Sequence, residues 1–217
     1  TLSIHGKSLA TYTDHLFTLI KDTMLTPQMD DTDRIKELIQ QTYTMMHDKI
    51  NRSAMGYAIK SALAPLSEYN MIVNEMSGLP YYLFIRDLAL NMEEKLEPVL
   101  IKLRAVKEKL FHLNNPHLVI TAEKGVIKHL KEKEFYKIPR IASSPFSPWV
   151  GSFKVKPEND MGKIIASPVA FTCLAYPTFG YEHPLCAALH LASFIMENRV
   201  LHPKIREQGG AYGSGAT

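Results

Sequence analysis

The C-terminal stretch Leu201-His202-Pro203-Lys204-Ile205-Arg206-Glu207-Gln208-Gly209-Gly210-Ala211-Tyr212-Gly213-Ser214-Gly215-Ala216-Thr217 decides how the chain reads. A short helix runs into a double glycine, and a run of small residues with one tyrosine follows. Pro203 suits a first helical turn, because its fixed φ is helical and its missing N–H would have no partner there. Arg206 then falls near the helix C-terminus, where a cation meets the negative end of the dipole. Gly209 or Gly210 is the expected left-handed cap. Beyond it, period-2 alternation places Ala211, Gly213 and Gly215 on one strand face and Tyr212, Ser214 and Ala216 on the other. Glycine inside a strand marks close approach of a ligand or another backbone. The glycine face would admit an extended peptide, with Arg206 and Tyr212 flanking the turn.

Working back along the chain, residues 184–195 read as a helix opened by Pro184, with Leu185, Ala188, Leu189, Ala192 and Ile195 on one face. Residues 169–175 read as a central strand. Before them, Pro139, Ser143, Ser144, Pro145, Pro148 and Pro157 punctuate a stretch without periodicity, the best linker in the chain. Residues 117–121 form a short strand candidate bounded by Asn114-Asn115-Pro116 and Gly125, and a charged helix follows over 126–134. The first part is helical. Leu9, Tyr12, Leu16, Leu19 and Ile20 repeat at helical spacing after a strand end at Leu2-Ser3-Ile4. Asp30, Asp31 and Asp33 put acid at the start of a helix whose stripe is Ile35, Leu38, Ile39, Tyr43, Met46 and Ile50. Residues 53–66 and 68–91 read as shorter helices, broken near Pro65 and at Gly78-Leu79-Pro80. Leu96, Val99, Leu100, Leu103, Val106 and Leu110 mark a further helix. The expectation is an α+β, helix-rich chain with helices packed on one face of a mostly antiparallel sheet. It divides at 1–138, a linker at 139–165, and a second unit at 166–217. A sheet missing strands would leave raw edges.

The stretch Ile205-Arg206-Glu207-Gln208-Gly209-Gly210-Ala211-Tyr212-Gly213 resembles the arginine–tyrosine motif in the C-terminal half of the presequence-protease group of pitrilysin/insulysin zinc metallopeptidases. Residues 181–201 look like the helix leading into that motif. Gly78-Leu79-Pro80-Tyr81-Tyr82 and its surrounding helices look like the family's third domain. The resemblance implies two incomplete units of the pitrilysin-type fold, the latter part of the third domain and the beginning of the fourth. It implies a metalloendopeptidase of the insulinase family, two halves closing over a chamber in which unstructured peptides are degraded. Zinc would be bound by a His-x-x-Glu-His motif in the N-terminal half. No such motif occurs here, so no metal ligand is assigned, and this piece alone would be inactive. The catalytic residues implied are Arg206 and Tyr212. Gly209, Gly210, Ala211 and Gly213 are the implied substrate-binding backbone. Partners would be unstructured peptides and the enzyme's own N-terminal half. The alternative is a non-catalytic peptidase-like subunit that binds peptides or acts as a scaffold.

Composition is that of an ordinary globular protein: 217 residues, 46% hydrophobic and 22% charged. A net charge of +3 is too small to argue for nucleic acid or membrane partners. No apolar run reaches the ~20 residues of a membrane span. Cys173 and Cys186 read as buried free thiols in a reducing compartment, bacterial cytoplasm or an organelle matrix. His183 and His190 sit seven apart on one helix, about 10 Å along its axis, too far to share one ion easily. Lys124, Lys128, Lys131, Lys133 and Lys137, interleaved with Glu132 and Glu134, read as a solvated face. Met45, Met46, Met71 and Met76 read as core.

Overall fold

A computed structural model describes residues 3–26, 31–111, 117–140, 155 and 161–217. The chain forms two compact units, Thr1–Cys173 and Leu174–Thr217.

The first unit is built from helices that start and stop where the sequence says they should. After a 3-10 turn at Ala10–Tyr12 comes α1, Thr13–Leu25. Helix α2, Thr32–Arg52, opens on Asp31, whose carboxylate accepts the Arg34 N–H at 3.0 Å. That bond satisfies one of the donors a helix start leaves unpaired. Helix α3, Ala54–Leu63, ends in the 3-10 turn Ala64–Leu66 that contains Pro65. Ser67 then caps α4, Glu68–Ser77, by accepting the Asn70 N–H at 3.2 Å. Helix α5, Leu79–Leu90, follows at once, with Pro80 in its first turn. Gly78 makes that junction possible. A Cβ there would fall 2.0 Å from Asn74 Oδ1 and 2.6 Å from the Asn74 carbonyl oxygen. Helix α6, Met92–Phe111, carries Pro98 inside it, and α7 spans Lys124–Glu132.

Two small cores result. Met46 from α2 meets Tyr82 and Ile85 from α5, with Tyr43, Ile50, Leu79 and Tyr81 packed around them. His47 Nδ1 lies 3.1 Å from the Tyr82 hydroxyl, joining the same helices. The second core holds Phe17 of α1, Leu130 of α7 and Ile138, surrounded by Ile20, Met24, Leu118, Ile120 and Val126. Beyond α7 the chain makes an unusual turn. Glu134, Phe135, Tyr136 and Lys137 all have positive φ, from 49° to 61°, without a glycine among them. Each such residue costs about 1–2 kcal/mol. Burial of Ile138 and the packing of the Tyr136 ring on Phe17, with centroids 5.5 Å apart, offset that strain.

At this turn Asp14 of α1 meets α7 through His129, Oδ1 to Nε2, at 2.7 Å. The Tyr136 hydroxyl is buried beside the same carboxylate without meeting hydrogen-bond geometry. The Tyr136 hydroxyl first and His129 second hold the Asp14 carboxyl below its usual range. Burial, then Asp14, push the Tyr136 phenol up to about 12.

The expected sheet is absent among the described residues. Every regular element there is helical, which overturns the α+β assignment and with it the sheet of the pitrilysin-type units. Residues 3–4, 117–121, 169–175 and 211–216 are irregular rather than strands. Their composition suits a strand, but a strand exists only through pairing with a neighbour. None of these segments forms a ladder with another described residue. Leu118 and Ile120 instead pack against the α1–α7 core.

In α1 the buried stripe runs in a different phase from the expected one. Thr13 and Phe17 are buried, with Ile20 and Met24 half-buried, whereas Leu9, Tyr12 and Leu19 are exposed. In α6, Leu96 and Leu100 are buried as expected, while Leu103 and Val106 are exposed. Of the four methionines expected in the core, Met46 is buried and Met71 half-buried, but Met45 and Met76 face solvent. Leu2, Asp30, Asn114, Asn115, Pro116, Ser143, Ser144, Pro145, Pro148 and Pro157 lie outside the described residues. So does the Leu110 side chain.

Candidate functional site

The second unit contains α8, Cys186–Met196, continued directly by a π-helix, Glu197–Gln208. Pro203 therefore stands inside a helix and not in a first turn. A proline in an α-helix removes one i→i−4 bond and crowds the carbonyl four residues back. The wider i→i+5 winding is one way for a helix to carry such an interruption.

The helix ends as the double glycine requires. Gly209 remains right-handed and Gly210 takes φ 70°, so Gly210 is the left-handed residue. The Gly210 N–H donates to the Arg206 carbonyl and the Ala211 N–H to the Ile205 carbonyl, both at 3.1 Å. This nested pair has the form of a Schellman motif with each bond one residue wider, matching the π winding it closes. The tail then passes near the start of the π-helix, where a Cβ on Gly215 would lie 4.0 Å from Glu197 Oε1. Ala211, Ser214 and Ala216 are half-buried, while Tyr212, Gly213 and Gly215 are exposed. Strict two-residue alternation does not describe this tail, because it is not a strand.

Arg206 and Tyr212 are both exposed, Tyr212 at 88%. Arg206 Nη1 donates to His202 Nε2 at 3.4 Å, and His202 Nδ1 lies 3.4 Å from Glu207 Oε1. Open space surrounds the Cα positions of Gly210 and Gly213, where a Cβ would meet nothing within 4 Å. At Gly209, by contrast, a Cβ would come within 2.6 Å of the Ile205 carbonyl oxygen. The site is thus a guanidinium and a phenol, both facing solvent, on either side of a glycine turn with bare backbone. His202 and Glu207 are additions to the residues expected from the sequence. Their spacing from Arg206 in an α-helix would not bring all three together, so no sequence signal points to them.

Cys173 and Cys186 are free thiols, half-buried rather than buried. Lys124, Lys128 and Lys131 are exposed on α7, as a solvated face requires. Among the described residues, no three His, Cys, Asp or Glu side chains come together in a way that could hold a metal ion. No helix among them is long and apolar enough to cross a membrane.

Comparison with known proteins defines the class. Residues 1–88 match the peptidase-associated family of metallopeptidase family 16, subfamily C. Over nearly its whole length, the chain is similar to longer proteins. Protein HypA of Clostridium perfringens is 25% identical over 214 residues, covering 98% of this chain and 22% of that protein. The mitochondrial presequence protease of Schizosaccharomyces pombe is 26% identical over 223 residues, with 99% and 22% covered. Presequence protease 1, chloroplastic/mitochondrial, of Arabidopsis thaliana is 25% identical over 214 residues, with 97% and 19% covered. The chain is accordingly a peptidase-associated segment of presequence-protease type. It spans about a fifth of the length of these relatives.

Proposed function

We propose that this chain is the substrate-holding part of the C-terminal half of a zinc metalloendopeptidase that degrades unstructured peptides in a closed chamber. Arg206 and Tyr212 are the residues that hold the peptide. The observation that carries this reading is their exposure on both sides of the Gly210 turn, clear of any core. An arginine and a tyrosine that served only packing would bury the stem and the ring.

Arg206 offers a fixed fork of N–H donors to peptide carbonyls, and Tyr212 offers one O–H. Donors aimed at an oxygen that gains negative charge stabilise the transition state more than the ground state. The exposed backbone of Gly209, Gly210, Ala211 and Gly213 lets an extended peptide approach without meeting side chains larger than a methyl. Zinc, in this reading held by the N-terminal half, polarises the scissile carbonyl and activates water. Neither Arg206 nor Tyr212 supplies that chemistry, so the 217-residue chain is inert by itself. The presequence-protease relatives carry mitochondrial or chloroplastic in their names, which favours an organelle matrix or its bacterial counterpart, a reducing compartment suited to two free thiols.

In the intact peptidase, Arg206→Ala or Tyr212→Phe slows cleavage of an unstructured peptide by about tenfold or more, the range for loss of one such donor. Zinc content stays unchanged. Full turnover by either variant would overturn the role assigned to that residue.

A further inference from the structure

The π winding joins Arg206 to a partner that the peptide-holding role does not by itself require. In an α-helix, residues five apart point about 140° away from each other. With i→i+5 winding they return to one face. His202 can therefore reach Arg206 and Glu207 at once, at 3.4 Å each.

The chemistry of these contacts fixes a proton. A guanidinium only donates, so His202 Nε2 must present a lone pair to Arg206 Nη1. The proton of the neutral ring then sits on Nδ1, where the Glu207 carboxylate accepts it. The other neutral tautomer would set an N–H against the cation and a lone pair against the carboxylate. One tautomer satisfies all three groups. The Arg206 main chain is held as well, since its carbonyl accepts from both Gly209 and Gly210.

We propose that His202 is a positioning residue for Arg206, and that Glu207 sets the tautomer that lets it act. This rests on the reading of Arg206 as a peptide-holding group. His202 takes one N–H of the guanidinium and leaves the remaining donors of the fork free for peptide carbonyls. A long side chain on an exposed helix is thereby aimed before substrate arrives. The three side chains are too exposed for these contacts to add much stability. Their effect is on orientation.

Two substitutions separate the ring's nitrogens. His202→Gln keeps an acceptor near the Nε2 position. His202→Asn keeps a donor near Nδ1 for Glu207 but takes the acceptor away from Arg206. In the intact peptidase, His202→Asn lowers kcat/KM for an unstructured peptide about tenfold, the factor carried by one ordinary hydrogen bond. His202→Gln stays within about twofold of wild type, since the bond is retained. Equal activity of the Asn and Gln variants overturns the proposal. Arg206→Ala is measured in parallel. If it has no effect, the reading of Arg206 itself fails. If it impairs cleavage and His202→Asn does not, only the positioning role fails. A second readout needs no activity. Long-range proton–nitrogen spectra of the 217-residue chain should show the His202 ring protonated on Nδ1 at neutral pH, shifting toward Nε2 in Glu207→Gln. A ring protonated on Nε2 in the wild-type chain overturns the proposal.

Discussion

The two units use apolar residues in opposite ways. In residues 1–173, each helix hides a narrow stripe and leaves the rest polar: Met46 on α2, Tyr82, Ile85 and Leu88 on α5, Leu96 and Leu100 on α6. In residues 174–217, α8 is apolar nearly all round, yet Leu189, Leu191, Phe194, Ile195 and Met196 are all exposed and only Ser193 is buried. The single apolar face expected for α8 from its spacing is too narrow. A helix apolar on every side normally lies inside a larger core. The difference teaches that a helix pattern reports the burial a segment is suited to, and not the burial its own unit provides.

Core truncation should separate the units most. Leu130→Ala, at a side chain 1% exposed, should destabilise the chain by about 2–5 kcal/mol in urea unfolding. Leu191→Ala, 62% exposed, should change it by no more than about 0.5 kcal/mol. A loss at Leu191 matching that at Leu130 would break the comparison, because α8 would then be buried in solution.

Glycines offer a second, smaller contrast. Gly78→Ala drives a Cβ into the Asn74 backbone and side chain, and should cost about 1–3 kcal/mol through forced shifts at the α4–α5 junction. Gly213→Ala meets open space and should leave the melting temperature unchanged. If a peptide lies along that backbone, the same Gly213→Ala change should still slow cleavage in the intact peptidase, which sharpens the contrast between a glycine kept for folding and one kept for access.

The smallest effect is at the left-handed turn. Tyr136 has its phenol pushed up to about 12, so folding favours its neutral form. The associated stability is fully present below the ordinary tyrosine value near pH ~10 and is lost as pH rises from there through about 12. Absorbance titration of tyrosinate should show one late-titrating phenol that disappears in Tyr136→Phe. At the acid end the sign reverses. Asp14, held low, supports the fold above its usual range and loses that contribution as pH falls through its depressed value.

Local chemistry made much of the helical unit legible. Asp31 at a helix start, the break at Pro65, and Gly78 followed by Pro80 are rules satisfied within a few residues of chain, and each holds. Gly210 is the left-handed residue for the same reason, since only the backbone before it matters. What failed needed a distant partner. Residues 117–121 and 169–175 have strand composition but no ladder to join among the described residues. The α1 stripe was out of phase because Leu16 and Phe17 are both apolar neighbours, and only α7 and Ile138 decide which is covered.

By itself, then, the sequence determined where helices begin and end, the glycine turn, and the two exposed groups beside it. Caps, prolines and glycines act through their own covalent geometry. Tertiary structure alone decided three things: which face of α1 is buried, whether strand-like segments pair, and that Glu134–Lys137 run left-handed without a glycine. The winding that joins His202 to both Arg206 and Glu207 likewise carries no signature in residue spacing. Each depends on energies summed over groups far apart in the chain or on a departure from ideal winding, which no local pattern encodes.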